Sequence, residues 1–155
     1  MARALEKVLI PATGYPVRPQ VEETDQRLNV SVIFTSVRST QAALKRAGTL
    51  ASSLNARITL LVPQVVPFPR PLESPPVLLD WSESRFRTIA NQSPVETTVR
   101  LYLCRDSVET MKGALSPKSV VVIGGRKCWW PFTRERNLAR VLRRAGHEVI
   151  FTETE

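Results

Sequence analysis

Short apolar runs alternate with helical patterns along the chain after its first thirty residues. The run from Asn29 to Thr35 is rich in β-branched residues, which is typical of a strand buried on both faces. From Thr40 to Asn55, apolar side chains recur at steps of three and four residues, which predicts an amphipathic helix capped by Ser39 or Thr40. A second buried strand is predicted at 58–62, so the chain begins a strand, helix, strand unit.

The same alternation continues to the C-terminus. The pattern predicts a weak helix at 78–91, a strand at 95–104, a short helix at 107–115, a strand at 119–123 ended by Gly124 and Gly125, a helix at 134–145 closed by Gly146, and a last strand at 148–152. Such an order selects an α/β fold, a doubly wound and mostly parallel five-stranded sheet with helices on both faces, which is a Rossmann-like sandwich.

Two segments rich in proline interrupt this pattern. Residues 1–28 have little periodicity and are predicted to form an N-terminal arm or linker ahead of one α/β domain at 29–155. Within the domain, 63–77 holds six prolines, which predicts a surface loop. A proline-rich ligand for a binding module is the alternative interpretation of that segment.

Composition excludes several classes of protein. The 155 residues are 43% hydrophobic, which fits one globular domain, and no apolar run approaches the roughly 20 residues that span a bilayer. We therefore expect a soluble, cytoplasmic protein without a membrane span. Two cysteines and one histidine predict no metal site. Cys104 is expected in the core, whereas Cys128 is either an ordinary exposed thiol or, beside Lys127, a redox-sensitive one.

Positive charge is concentrated near the C-terminus. The net charge is +8, and residues 126–144 hold seven cationic side chains against Glu135 alone, which accounts for six of those charges. A focused positive field favours anionic partners, and these include nucleotides, phosphate, nucleic acid and lipid headgroups.

A candidate phosphate site follows from the expected topology. In open parallel sheets the ligand crevice lies beyond the carboxyl ends of the strands, and two glycines at a strand end let backbone amides approach an anion. A turn that needs glycine only for its backbone angles is the alternative. The candidate nucleotide- or phosphate-binding residues are Thr35, Ser36, Val62, Gly124, Gly125, Arg126, Lys127 and Arg136.

Several phrases together resemble the universal stress protein family, over about Val30 to Phe151. They are the strand at 30–35 leading into Ala42-Ala43-Leu44-Lys45-Arg46-Ala47, the stretch 54–62, Ser119-Val-Val-Val-Ile-Gly-Gly-Arg, and Leu138-Ala-Arg-Val-Leu-Arg-Arg-Ala-Gly-His-Glu-Val-Ile. The resemblance implies a doubly wound domain of the adenine nucleotide alpha hydrolase-like type. It also implies a homodimer formed through the last strand, at Val149, Ile150 and Phe151, and an unpaired apolar edge is an independent motive for that pairing.

Family members that bind ATP carry an Asp after the first strand and a Gly-x-x-Gly, followed nine residues later by Gly-Ser or Gly-Thr. Here Thr35 stands at the Asp position and Lys127 at the second glycine, and the final pair falls on 137–138 or 135–136. Because Thr is not an anionic acceptor, the sequence predicts a degenerate nucleotide site. ATP binding, with Arg126, Lys127 and Arg136 supplying charge, is kept as an alternative.

The stretch 126–132 takes the place of the phosphate loop and contains Trp129, Trp130 and Phe132. These aromatics either fold back as a lid over the crevice or stack on bases, lie at a membrane interface or contact a protein. On the following helix, Arg140, Arg143 and Arg144 point outward and form a candidate anionic-partner surface, with a solvated helix face as the alternative.

No catalytic arrangement is evident. No Ser has a glycine-flanked elbow, and His147 has no evident partner in the sequence. The sequence therefore predicts a universal stress protein-like regulatory module, not an enzyme, that acts through dimerisation or protein association. Its alternatives are an ATP-binding universal stress protein and a binder of nucleic acid or acidic surfaces.

Overall fold

The structure, a computed structural model, describes residues 5–9, 28–67, 79–93 and 95–155, with the side chains of 5–9 and 79–83 excepted. Its elements are β1 (Leu5–Leu9), β2 (Asn29–Ile33), α1 (Val37–Leu54), β3 (Arg57–Val65), α2 (Leu79–Asn91), β4 (Thr97–Cys104), α3 (Ser107–Ala114), β5 (Val120–Arg126), α4 (Arg134–Arg144) and β6 (Glu148–Thr154). The predicted order of helices and strands is confirmed.

The strands form one sheet in the order β1-β4-β3-β2-β5-β6. Five of them, β2 to β6, are mutually parallel, and β1 pairs antiparallel with β4 at one edge. The predicted α/β fold with a five-stranded parallel sheet is therefore confirmed. A sixth strand comes from the segment predicted as an arm, where the apolar Val8 and Leu9 pair with Arg100 and Val99.

Helices cover both faces of the sheet. Alternate strand residues point to opposite faces, so Val30 and Val32 pack with α1 and α2, whereas Ile33 and Ile123 pack with α3 and α4. Leu44 and Ala47 of α1 belong to the first cluster and Leu142 of α4 to the second. Two buried layers of this kind define a doubly wound sheet.

Several predicted boundaries differ from those observed. α1 begins earlier than expected, because Ser36 and not Ser39 or Thr40 is the N-cap; its hydroxyl accepts a hydrogen bond from Ser39 N. Pro63, predicted to begin the proline-rich loop, lies inside β3, paired with Tyr102. The remainder of that loop from residue 68 lies outside the described residues.

The C-terminal helix ends as predicted. Gly146 has φ +95°, the left-handed conformation that favours glycine after a helix. The chain then enters β6, which lies at the sheet edge opposite β1 and pairs with β5.

Candidate functional site

The crevice of this fold lies between the carboxyl ends of β2 and β5. The chain passes from β2 through α1 to β3 on one side, and it later returns through α3 to β5 on the other side of β2. This reversal is the topological switch point at which open α/β sheets bind ligands.

A cavity of about 420 Å³ lies next to this switch point, beyond the end of β2. Its walls come from the ends of β2 and β3 and from the first turns of α3 and α4. The lining residues are Ile33, Phe34, Thr35, Pro63, Val65, Ser107, Val108, Arg134, Glu135, Asn137 and Leu138. The charged side chains among them, Arg134 and Glu135, are of opposite sign, so the part of the lining that the structure describes has no excess positive charge for a polyphosphate.

Thr35 is the candidate phosphate residue that lines this cavity. Its hydroxyl donates a hydrogen bond to the Gly124 carbonyl at 2.7 Å, and its backbone N–H donates to Thr40 Oγ1 at 3.2 Å. The side chain therefore links the end of β2 to β5. Because its hydroxyl proton is used in this hydrogen bond, that proton is not available to a bound phosphate.

Gly124 and Gly125 do not end the strand, because both lie inside β5 and pair with Thr152 and Glu153 of β6. A Cβ on Gly124 would lie 2.0 Å from the Ser39 carbonyl oxygen, on the α1 side. A Cβ on Gly125 would lie 2.4 Å from Phe151 Cζ, on the α4 side. Neither has a positive φ. The glycines serve close packing, which is neither the predicted anion cradle nor the predicted turn.

The hydroxyl groups around this edge are also bonded to the protein. Ser39 Oγ lies 3.4 Å from Thr154 Oγ1, and Thr154 Oγ1 donates to the Gly125 carbonyl at 3.2 Å. The backbone N–H of Lys127 donates to the Thr154 carbonyl at 2.7 Å. These contacts fasten the ends of α1, β5 and β6 together.

The other candidate phosphate residues lie outside the cavity lining. Val62 is buried within β3, and Ser36 is the exposed cap of α1. Arg126 and Lys127 are exposed at the end of β5. The structure therefore separates the candidate residues that the sequence placed together.

Arg136 points toward β6 and not into the cavity. Its Nη2 lies 2.6 Å from Glu153 Oε1, and its guanidinium lies 5.3 Å from the centroid of the Phe151 ring. This contact joins α4 to the edge strand and balances the charge of one acidic side chain of β6.

The aromatic loop, residues 127–133, extends into solvent between β5 and α4. Trp129 is 91% exposed, Trp130 54% and Phe132 71%, and none of them lines the cavity. They pack edge to face on one another, with ring centroids 5.9 Å apart for the two tryptophans and 6.1 Å apart for Trp130 and Phe132. The predicted lid over the crevice is therefore wrong.

Beside the aromatic loop, two shallow depressions border α4, and the larger lies on the side of α4 that faces β6. One, of about 270 Å³, is lined by Pro131, Phe132, Thr133, Arg134, Asn137 and Arg140. The other, of about 420 Å³, is lined by Pro131, Arg136, Ala139, Arg140, Arg143, Phe151 and Glu153. Both share Pro131 and Arg140, so we describe them together as the arginine groove.

The remaining candidates of the basic helix are placed as predicted. Arg140, Arg143 and Arg144 are exposed, because Leu138 and Leu142 form the buried stripe of α4. Arg143 Nη2 also donates to the Val149 carbonyl of β6 at 3.3 Å.

The two cysteines differ as expected from the sequence. Cys104 is buried at the end of β4, and burial raises the pKa of its thiol above its ordinary value. Cys128 is exposed in the aromatic loop. His147, for which the sequence showed no partner, is buried and accepts a hydrogen bond from Ser119 N at Nδ1, which gives it a structural role.

Sequence reasoning missed most of the cavity lining. Ser107 and Val108 begin α3, and Arg134, Glu135 and Asn137 lie in the first turns of α4. The available signal was topological, because helices that follow β4 and β5 must begin at the carboxyl edge of the sheet.

Among the residues that the structure describes, no group of three His, Cys, Asp or Glu side chains is placed to hold a metal ion, and no helix is long and apolar enough to cross a membrane. No protein-family model matches the sequence, and no curated protein matches it significantly.

Proposed function

We propose that this chain is a universal stress protein-like binding module that acts by association with an anionic partner, through the aromatic loop and the arginine groove. The observation that carries the proposal is the exposure of Trp129, Trp130 and Phe132 next to a strongly basic helix face. Large aromatics that stay in solvent mark interaction sites, and surrounding cations select for negative charge.

Binding fits this molecule better than catalysis. The polar groups around the crevice form hydrogen bonds that hold the sheet and α1 together, as Thr35 does with Gly124. The cationic side chains instead lie on the outer surface, where Arg140 and Arg143 are exposed. A reaction on a nucleotide in the crevice would have to draw on Arg134 as the cation of its lining.

Retention on a heparin column tests the proposal. The double variant Arg140→Glu with Arg143→Glu should elute at much lower salt than the parent chain. A matched control is Lys45→Glu with Arg46→Glu, which makes the same change in net charge on the exposed face of α1, across the sheet. Equal losses in both variants would mean that net charge alone causes retention, and would end the proposal.

A second association surface is the edge strand β6, through which we propose homodimerisation. One side of β6 is paired with β5 over its whole length, from Glu148 to Thr154, and the backbone groups of alternate residues, Val149, Phe151 and Glu153, point away from β5. The Val149 carbonyl, which points away from β5, already accepts a hydrogen bond from Arg143. A dimer built on this edge would displace that contact.

Native mass spectrometry tests the dimer, with Val149→Pro as the variant. Proline removes an N–H that points away from β5, so the pairing within the sheet is kept while pairing with a second β6 is lost. We expect a dimer for the parent chain and a monomer for the variant. A monomeric parent chain would refute this surface.

A further inference from the structure

The arginine groove and the aromatic loop form one continuous surface. The two depressions share Pro131 and Arg140 as lining residues; one includes Phe132 of the aromatic loop, and the other reaches Phe151 of β6. α4 has 11 residues, which corresponds to a length of about 16 Å. A ligand lying in the groove would contact arginines along its length and aromatic rings at one end.

The cations of this groove are suited to phosphodiesters. Arg134, Arg140 and Arg143 line it, and the planar guanidinium group binds phosphate oxygens through two parallel N–H donors. The acidic side chain that lines it, Glu153, is paired with Arg136 at 2.6 Å. The groove therefore presents a net positive charge to its ligand.

The aromatic rings offer faces on which bases can stack. Trp129 packs against Trp130 at an interplanar angle of 85°, and it remains 91% exposed. Edge-to-face packing orients the ring without covering it. Stacking of bases on such rings, combined with a positive groove that follows the backbone, is how proteins bind single-stranded nucleic acid without sequence preference.

Two competing anionic partners fit less well. The bases of a duplex are stacked on each other, so they could not use the exposed ring of Trp129. A bilayer that takes up the tip of the aromatic loop would leave behind Arg140 and Arg143, which lie on the second and third turns of α4. The groove geometry thus favours a flexible single strand.

We propose that the aromatic loop and the arginine groove bind single-stranded nucleic acid, with bases stacked on Trp129 and phosphates held by Arg134, Arg140 and Arg143. This inference rests on the proposed function, since it names the anionic partner of the same surface.

The test is fluorescence anisotropy of an end-labelled oligothymidylate of about ten nucleotides, within the roughly 4–16 nucleotides of known single-strand sites. We expect Trp129→Ala to weaken binding by about five- to hundredfold, the effect of losing one stacked base. Trp129→Phe should restore most of the affinity. Leu54→Ala, which truncates an exposed apolar side chain of α1, should change nothing.

Salt dependence separates the role of the arginines. Arg140→Glu should weaken binding to oligonucleotides of every base composition and lower the slope of log affinity against log salt by about one or more. Arg46→Glu is its control on α1. A duplex of the same length should bind more weakly than the single strand.

Three results would overturn the inference. They are no anisotropy change at protein concentrations of about 10⁻⁴ M, an affinity that Trp129→Ala leaves unchanged, and a duplex affinity equal to that of the single strand. Sedimentation with phosphatidylserine vesicles distinguishes the failures. If vesicles bind and the oligonucleotide does not, the inference fails while the proposed function stands. If neither binds, and the α4 and α1 double variants lose heparin retention equally, both fail.

Discussion

The crevice and the outer surface of α4 use their polar residues in opposite ways. At the crevice, Thr35, Ser39 and Thr154 are engaged in hydrogen bonds that join strands and helix, and Gly124 and Gly125 allow close packing. On the outer surface, aromatic and cationic side chains extend into solvent. The switch point of this doubly wound sheet thus serves stability, while the side chains left free for a partner lie on a neighbouring loop and helix.

The largest expected effect comes from filling the space at Gly124. Gly124→Ala should lower the free energy of unfolding by about 3 kcal/mol, because its Cβ would lie 2.0 Å from a backbone oxygen of α1. Gly113→Ala is the control, since its Cβ meets nothing within 4 Å in α3, and it should stabilise by roughly 0.5–1 kcal/mol. Urea denaturation measures both. A neutral Gly124→Ala would contradict the packing role of this glycine.

A smaller effect is expected at Arg136. Arg136→Gln removes the contact with Glu153 and the interaction with the Phe151 ring, but both charged side chains are partly exposed. The loss should be about 1 kcal/mol or less, and it should shrink at high salt. Thermal melts at two salt concentrations check this. A loss several times larger would show that Arg136 is as structural as Gly124.

The smallest effect is expected from ATP. Among the described residues, the cavity lining holds one cation, Arg134, beside the acidic Glu135, so millimolar ATP should leave the melting temperature unchanged. A ligand at 100 times its dissociation constant would stabilise the fold by roughly 2.7 kcal/mol, which a thermal shift assay detects easily. If ATP caused such a shift, and if the shift were lost in Arg134→Gln but kept in Arg140→Gln, the prediction would be wrong and the crevice would bind nucleotide.

The fold could be predicted from the sequence because the spacing of apolar residues directly reflects which face of a strand or helix is buried. The β-branched run at β2 and the three- and four-residue steps of α1 each specify which faces are covered. The candidate site was harder to predict from the sequence. A Gly-Gly pair looks the same in a sequence whether its backbone amides bind an anion or its missing side chains allow a helix to pack closely. The pairing of both glycines inside β5 and the 2.0 Å approach of an added Gly124 Cβ to the Ser39 carbonyl oxygen distinguish the two.

Hydrogen bonds between residues distant in the sequence could not be predicted either. His147 bonds Ser119, 28 positions earlier, and Arg143 reaches the Val149 carbonyl across the helix-strand turn. The exposure of the aromatic loop could not be derived either, because aromatic residues beside a crevice are compatible with both a lid and a free surface.

The placement of β1 has a consequence for how the chain assembles. Leu9 pairs with Val99, ninety positions further along, and it does so with inverted polarity at the margin of a sheet whose other strands follow one another through helices. During synthesis the first strand must wait until β4 has left the ribosome, whereas β2, α1 and β3 can condense much earlier. β1 is therefore made before the other strands of its sheet and docked late.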